Sequence, residues 1–196
     1  MLTQPRVGGQ AVLAAAALAA AIWASPAVPG EEPGPAPAGA LELRSPSFAA
    51  MGAIPRRYTC EGEDVSPELR WSGVPERARS LVLIVEDPDA PDPAAPRTTW
   101  AHWVLYDLPA DATGLPEAVS GSALPPGTRQ GENDWKRTGY RGPCPPIGRH
   151  RYVHRLYALD AALGDLGQPG RAELLRAMSG KVLAQGELIG TYQKQR

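Results

Sequence analysis

An uninterrupted apolar run, Leu81-Val-Leu-Ile-Val, is the feature that most restricts how this chain can fold. Polar residues follow at once, with Glu86, Asp87 and then Pro88. The length of the run and its β-branched residues favour a strand over a helix, and the absence of alternation indicates burial on both faces. Residues 81–87 are therefore predicted to form the central strand of a sheet.

Other segments predict a β-rich domain around that strand. Alternation over residues 150–157 places His150, Tyr152 and His154 on one face of a strand. The sequence also contains 22 Pro and 21 Gly, which suit turns and long ordered loops. Further strands are predicted over 100–107 and 183–192, with weaker candidates over 41–48 and 69–71. Long loops are predicted over 88–99 and 121–149, and loops of that length are usually functional or disordered.

One helix is predicted, over residues 170–180. Leu174, Leu175 and Met178 stand at helical spacing, and Gly180 is placed to end the helix. The sequence therefore predicts one mostly β domain with a helix before its last strand.

The N-terminal residues have the pattern of an export signal. Arg6 precedes an apolar run over 11–24, which small residues follow. This run is shorter than the about 20 residues that span a bilayer as a helix. We predict a signal peptide over 1–27, a Pro/Gly-rich linker over 28–40 and the domain over 41–196. An uncleaved N-terminal anchor, or a start site assigned too far upstream, are the alternatives. Cleavage would leave a periplasmic or secreted protein with no stable membrane insertion.

The two cysteines, Cys60 and Cys144, allow three interpretations. In an oxidising compartment two cysteines of a small domain commonly form a disulfide. They could instead be buried inert thiols, or thiols that line a pocket. The sequence does not show whether their Cα atoms approach to the roughly 4.4–6.8 Å that a disulfide requires.

Charge and residue spacing argue against several classes of function. With 20 basic and 21 acidic residues the formal net charge is −1, which gives no bias toward nucleic acid. On one strand His150 and His154 would lie about 13 Å apart, too far to share a zinc ion. That leaves Asp87, His102 and His150 as a metal-site alternative, and we predict no metal and no cofactor.

A hydrolase is a further alternative with little support in the sequence. It needs a nucleophile within reach of a base, and no Gly-x-Ser-x-Gly element is present. Ser66 precedes Pro67 and is typical of a turn. Cys144, near His150 in the sequence, is the sharper candidate, and a disulfide would remove its thiol. We predict no catalytic residue.

Three pieces of sequence place polar groups at the ends of predicted strands. These are Asp87-Pro-Asp-Ala-Pro91, Trp100-Ala-His102 and the segment 139–152. Together with 58–67, and in this order, they resemble the phosphatidylethanolamine-binding protein family, in its bacterial Raf-kinase-inhibitor-like (YbhB/YbcL-type) branch. The resemblance runs from about residue 48 to 192. It implies a β-sandwich, with a large antiparallel sheet packed against a smaller one, one or two short helices, and a pocket near the surface for phosphate-like anions.

The resemblance also implies a set of ligand residues. Imidazole and phenol groups can donate hydrogen bonds to an anion, and the backbone of a Gly-rich loop can form an anion-binding concavity. Asp87 would orient a histidine or meet an ethanolamine-like ammonium group, whereas Asp89 is expected to support the loop. His154, where the family more often has an aromatic residue, is expected to be structural. The implied ligand residues are Asp87, His102, Gly142, Pro143, Pro146, His150 and Tyr152.

The predicted function is non-catalytic binding of a small anionic or phosphorylated ligand. Some members of the family inhibit kinases or proteases, so inhibition through protein–protein contact is the alternative. Eukaryotic members continue into a C-terminal helix that flanks the pocket, whereas this sequence ends at Arg196 soon after its last predicted strand. We therefore expect binding of small anions and do not carry over lipid specificity.

Overall fold

The structure is a computed structural model, and it describes residues 40–195. The predicted signal peptide and all but the end of the predicted linker lie outside the described residues. Within the described residues, no helix is long and apolar enough to cross a membrane.

The described part of the chain contains two antiparallel sheets. The smaller sheet has the order β1-β2-β5 and the larger has the order β6-β4-β3-β7-β8, which puts β3 at its centre. The predicted fold class, a mostly β domain with a large and a small antiparallel sheet, is confirmed. The strands are β1 (Glu42–Arg44), β2 (Leu69–Ser72), β3 (Ser80–Ala90), β4 (Thr98–Pro109), β5 (Gly114–Leu115), β6 (Arg129–Gln130), β7 (His150–Leu159) and β8 (Val182–Tyr192).

The apolar run of β3 is buried on both faces, as its composition predicts. Leu81, Leu83 and Val85 pack in the core between the two sheets. Val82 and Ile84 alternate with them and pack on the opposite side, in a second core that the helix covers. The large sheet is therefore the middle of three layers, and the apolar run of β3 is enclosed by protein on both faces.

The predicted helix forms over Arg171–Ala177 (α1), immediately before β8 along the chain. Leu174 and Met178 are buried against the large sheet. Gly180 adopts φ = +76° in the turn that follows, a conformation that favours glycine. Two short 3-10 helices lie at Arg56–Tyr58 and Gly121–Ala123.

The strand β3 continues past Pro88, where the sequence predicted a loop. Asp87 pairs with Trp100 and Ala90 pairs with Thr98, so β3 has one more residue than β4 over this stretch. Such a β-bulge accommodates a proline, which has no N–H to donate to the neighbouring strand. The connection to β4 is consequently shorter than the predicted 88–99, and the Asp87 side chain stays on a paired strand.

Candidate ligand-binding site

A cavity of about 290 Å³ lies at one end of the large sheet, where β3, β4 and β7 meet the loop before β7. Its wall combines a few polar side chains with aromatic rings and prolines, the usual composition of a site for small molecules. The residues that line it are Asp87, Ala90, Pro91, Trp100, His102, Trp135, Cys144, Pro145, Pro146 and Tyr152.

His102 reaches the cavity because β4 has a β-bulge at this point. Val85 of β3 pairs with Trp103, but the next residue, Glu86, pairs with Ala101, so β4 has one extra residue here. Trp103 packs between the sheets and Ala101 packs on the helical side, while His102 lines the cavity. Strict alternation would turn His102 away from the face that Trp103 occupies. The bulge therefore determines on which side of the sheet the His102 side chain lies.

Asp87 and His150 form a buried hydrogen-bonded pair beside the cavity. The Nδ1 atom of His150 lies 2.7 Å from Oδ2 of Asp87. The other ring nitrogen, Nε2, lies 2.9 Å from the carbonyl oxygen of Ile147 and must carry a hydrogen, because a carbonyl only accepts. The backbone N–H of Asp89 donates to Oδ1 of Asp87 at 2.8 Å. One hydrogen lies between Nδ1 and Oδ2, so Asp87 presents only lone pairs to the cavity whichever of the two atoms holds it.

His102 is also a hydrogen-bond acceptor toward the cavity. Its Nδ1 donates to the carbonyl oxygen of Arg141 at 2.6 Å, which leaves Nε2 for a ligand. Burial lowers the pKa of His102 from its ordinary value of 6.5, and the Arg141 carbonyl and the Asp87 carboxylate oppose this only in part. His102 is therefore neutral at pH 7, and its Nε2 carries a lone pair.

Tyr152 provides the cavity with a hydrogen-bond donor. Its hydroxyl is buried and has no acceptor among the described residues. Burial raises the pKa of Tyr152, and the negative charge of Asp87 adds to the rise, so the hydroxyl keeps its proton. The indole Nε1 of Trp100 is likewise buried without an acceptor. The rings of Trp100 and Trp135 meet edge to face, with centroids 5.4 Å apart, and form an apolar wall.

Hydrogen bonds, an ion pair and a disulfide fix the loop before β7. The N–H of Gly142 donates to Oδ1 of Asp64 at 2.7 Å, and the Arg141 side chain pairs with the same carboxylate. A Cβ at Gly142 would come within 2.2 Å of the Tyr58 carbonyl oxygen, so this close approach requires glycine. A disulfide joins Cys60 to Cys144 with their Cα atoms 5.4 Å apart. Several contacts therefore fix the rim of the cavity.

This rim offers few backbone donors to a ligand. The N–H of Gly142 is used by Asp64, and prolines at 143, 145 and 146 have no N–H. The backbone of Cys144 lies near the Tyr152 hydroxyl and lowers the pKa of that group, against the larger opposite effect of burial. The rim therefore contributes shape and apolar surface more than hydrogen bonds.

Four of the seven predicted ligand residues line the cavity, and the other three do not. Asp87, His102, Pro146 and Tyr152 line the cavity. Gly142, Pro143 and His150 lie outside that lining. His150 is completely buried, with both ring nitrogens bonded to protein atoms.

Sequence reasoning missed Trp135, whose ring centroid lies 5.0 Å from that of His102. It belongs to the long loop 121–149, and its only signal was a large aromatic residue in a polar stretch. Trp100 and Trp103 flank His102 in the sequence, and one of them forms part of the cavity wall. The structure selects Trp100, because Trp103 packs between the sheets.

Several other polar residues have structural contacts. Asp89 accepts hydrogen bonds from the backbone and the guanidinium of Arg151, which supports the loop as expected. Ser66 is buried, and its hydroxyl accepts the N–H of Val119 at 3.2 Å. Cys144 is bonded to Cys60 and has no thiol to act as a nucleophile. Over residues 40–195, no three His, Cys, Asp or Glu side chains are grouped so as to hold a metal ion.

Comparison with known proteins agrees with this fold. A family model described as phosphatidylethanolamine-binding protein matches residues 44–193. A UPF0098 protein of Methanothermobacter thermautotrophicus is 50% identical over 157 residues, which cover 79% of this chain and 99% of the relative. The chain therefore belongs to the phosphatidylethanolamine-binding protein family.

Solved structures show the same relationship. A phosphatidylethanolamine-binding protein homologue from Chlamydia trachomatis superimposes with a TM-score of 0.73 at 41% identity, over 80% of this chain and 99% of the homologue. YbcL of Escherichia coli, a member of the same family, gives a TM-score of 0.72 at 30% identity, over 79% of this chain and 99% of YbcL. The predicted family and its YbcL-like branch are confirmed.

Proposed function

We propose that this chain is a non-catalytic binding protein whose cavity holds a small ligand with a phosphoryl-like oxyanion. The observation that carries the proposal is the Tyr152 hydroxyl, a buried donor without an acceptor in the wall of a cavity of about 290 Å³. A buried polar group without a partner costs about 1–3 kcal/mol, and such groups are rare in native proteins. A ligand oxygen beside Tyr152 would remove that cost.

The rest of the wall supports a small and partly apolar ligand. The rings of Trp100 and Trp135, together with three prolines, offer surface for carbon atoms. No lysine or arginine of the described residues lines the cavity. Recognition would therefore depend on directed hydrogen bonds and shape, and weakly on salt concentration.

Calorimetric and thermal-shift titrations with inorganic phosphate, O-phosphoethanolamine and phenylphosphonate test this proposal. We expect at least one of them to raise Tm, and Tyr152→Phe to weaken its binding about tenfold, the effect of losing one buried hydrogen bond. Tyr140→Phe is the matched control, because the Tyr140 hydroxyl donates to the Tyr58 carbonyl outside the cavity. The proposal fails if no phosphoryl compound binds, or if both variants weaken binding equally.

Two further parts of the proposal have tests of their own. We propose that bound O-phosphoethanolamine stays intact, and release of inorganic phosphate in a ³¹P NMR time course would contradict this. We also propose, from the N-terminal sequence pattern, that the protein is periplasmic or secreted. Mass spectrometry of the native chain from cell fractions would show whether residues 1–27 are removed.

The alternative function is inhibition of another protein. Stoichiometric inhibition of a protease or a kinase by the purified protein would favour this alternative.

A further inference from the structure

The polar atoms that face the cavity do not match a fully ionised phosphate. Tyr152 and the Nε1–H of Trp100 present hydrogens, whereas Asp87 and neutral His102 present lone pairs. An oxyanion without hydrogens has only acceptor atoms. It would satisfy the two donors but would place its oxygens against the lone pairs of Asp87 and His102.

We infer that Asp87 and His102 make this cavity selective for phosphoryl compounds that still carry a hydrogen, in their singly protonated form. This inference rests on the proposed function and adds a ligand class to it. One oxygen of the ligand accepts from Tyr152, and a P–OH group donates to Asp87 or to Nε2 of His102. A site built to receive a hydrogen rejects a ligand of equal shape that lacks one, because its buried acceptors are then left without a partner.

The hydrogen-bond partners of Asp87 make this preference independent of where its shared hydrogen lies. If His150 holds the hydrogen, Asp87 is a carboxylate; if Asp87 holds it, that hydrogen points at Nδ1 of His150. The Asp89 N–H fills the other side of the carboxyl group in both cases. No arrangement turns a hydrogen of Asp87 toward the ligand.

A pair of ligands of equal shape and charge tests the inference. The second pKa of a phosphate ester is about 6, and that of a phosphonate is higher. At about pH 6, phenylphosphonate is therefore mainly a monoanion with one P–OH group. Benzenesulfonate is also a monoanion but has no hydrogen to donate. We expect wild-type protein to bind the phosphonate at least about tenfold more tightly in isothermal titration calorimetry.

Asp87→Asn should reduce this preference, because it removes one of the two acceptors and leaves Nε2 of His102 as the other. An asparagine can accept from the Asp89 N–H and donate to His150, and its second N–H then faces the cavity. We therefore expect the preference for the phosphonate over the sulfonate to be at least about threefold smaller in the variant than in wild-type protein. Asp89→Asn is the matched control and should keep the wild-type preference, because Asp89 faces Arg151 and not the cavity. If Asp87→Asn does not fold, the wild-type ratio alone decides.

The outcomes separate this inference from the proposed function. If wild-type protein binds both ligands equally, the selectivity is wrong and the binding site stands. If neither ligand binds, and inorganic phosphate and O-phosphoethanolamine do not bind either, the proposed function itself fails. The hydrogen could also come from an ammonium group beside a phosphodiester, as in a lipid head group. Binding of glycerophosphoethanolamine but not of glycerophosphocholine, which has no N–H, would identify that source and keep the donor requirement.

Discussion

Glu86 and Asp87 are consecutive buried carboxylates on β3, and they lie on opposite faces of the large sheet. Glu86 is 2% exposed and accepts hydrogen bonds from Arg155 and Arg171 on the helical side. Asp87 is 4% exposed and is paired with His150 at the cavity. Two adjacent acids of the same strand therefore have very different surroundings.

The difference separates a structural acid from an acid that we propose to contact a ligand. Each oxygen of Glu86 meets a guanidinium group, one from β7 and one from the first residue of α1, so this acid joins the helix to the sheet. Asp87 instead contacts the His150 ring and the Asp89 N–H, with no guanidinium group of the described residues beside it, and keeps lone pairs that face open space. On the helical side, ion pairs join the helix to the sheet. On the cavity side, the disulfide links the loops around the cavity, and some polar atoms have no partner among the described residues.

The largest expected effect concerns the disulfide. Cys60 and Cys144 are 84 residues apart in sequence, and cross-links over long loops stabilise most, here by about 4 kcal/mol. We expect the double variant Cys60→Ser/Cys144→Ser to lose about this much free energy of unfolding in urea. Wild-type protein treated with a reducing agent should unfold like the variant. An unchanged midpoint for the variant would contradict the view that the disulfide closes the cavity side.

The next effect concerns the ion pairs of the helical side. Glu86→Ala leaves Arg155 and Arg171 without their shared partner, and the loss of one partner of a buried ion pair costs about 3–5 kcal/mol. The two arginine side chains are about 30% exposed and regain some hydration, so we expect about 3 kcal/mol in urea unfolding. Phosphonate affinity should stay within about twofold of wild type.

Asp87→Ala gives the opposite result and completes the comparison. It leaves Nδ1 of His150 without its partner, which costs about 1–3 kcal/mol, and it removes the proposed ligand contact. We expect a smaller loss of stability than for Glu86→Ala, with phosphonate affinity reduced about tenfold or more. The distinction between the two acids is wrong if Glu86→Ala weakens ligand binding and Asp87→Ala does not.

The smallest expected effect concerns His154, a buried polar residue that lies in the core. Its Nε2 has no partner among the described residues, and its ring packs 5.5 Å from that of Phe48. Burial lowers the pKa of His154 to about 4. The unfolded chain, with an ordinary pKa near 6.5, therefore binds more protons between pH 6.5 and 4, and folding stability falls as the pH falls through that window.

His154→Phe should remove this acid sensitivity. Relative to the variant, wild-type protein should lose about 2 kcal/mol more on going from pH 7 to pH 5, as measured by urea unfolding at the two pH values. His102 also has a lowered pKa and contributes in the same direction in both proteins. An equal loss in wild type and variant would show that His154 does not titrate in this window.

Much of the fold was predictable, because buried strands and helices have characteristic patterns of hydrophobic residues. The run over 81–87 and the alternation over 150–157 located β3 and β7, and the spacing of Leu174 and Met178 located α1. The extent of β3 beyond Pro88 was not predictable from this pattern, since a bulge depends on the neighbouring strand. The same holds for the bulge that turns His102 toward the cavity.

The details of the site depend on loops, and local pattern does not specify their path. Tyr152 and Asp87 were implied as ligand residues by the family resemblance, and both line the cavity. The position of His150 behind Asp87 depends on the Ile147 carbonyl, and that of Trp135 on a loop distant in sequence. Resemblance to a family supplied the candidates, and the hydrogen-bond partners decided which of them face the cavity.

The most direct test of the binding site uses the fact that the chain has three histidines. His102 lines the cavity, His150 lies behind Asp87 and His154 lies in the core. We would titrate phenylphosphonate into protein labelled with ¹⁵N-histidine and follow the ring nitrogens by NMR. The account predicts a large shift of His102 Nε2, a smaller shift of His150 and none of His154. Saturable binding that leaves the His102 signal unchanged would contradict it.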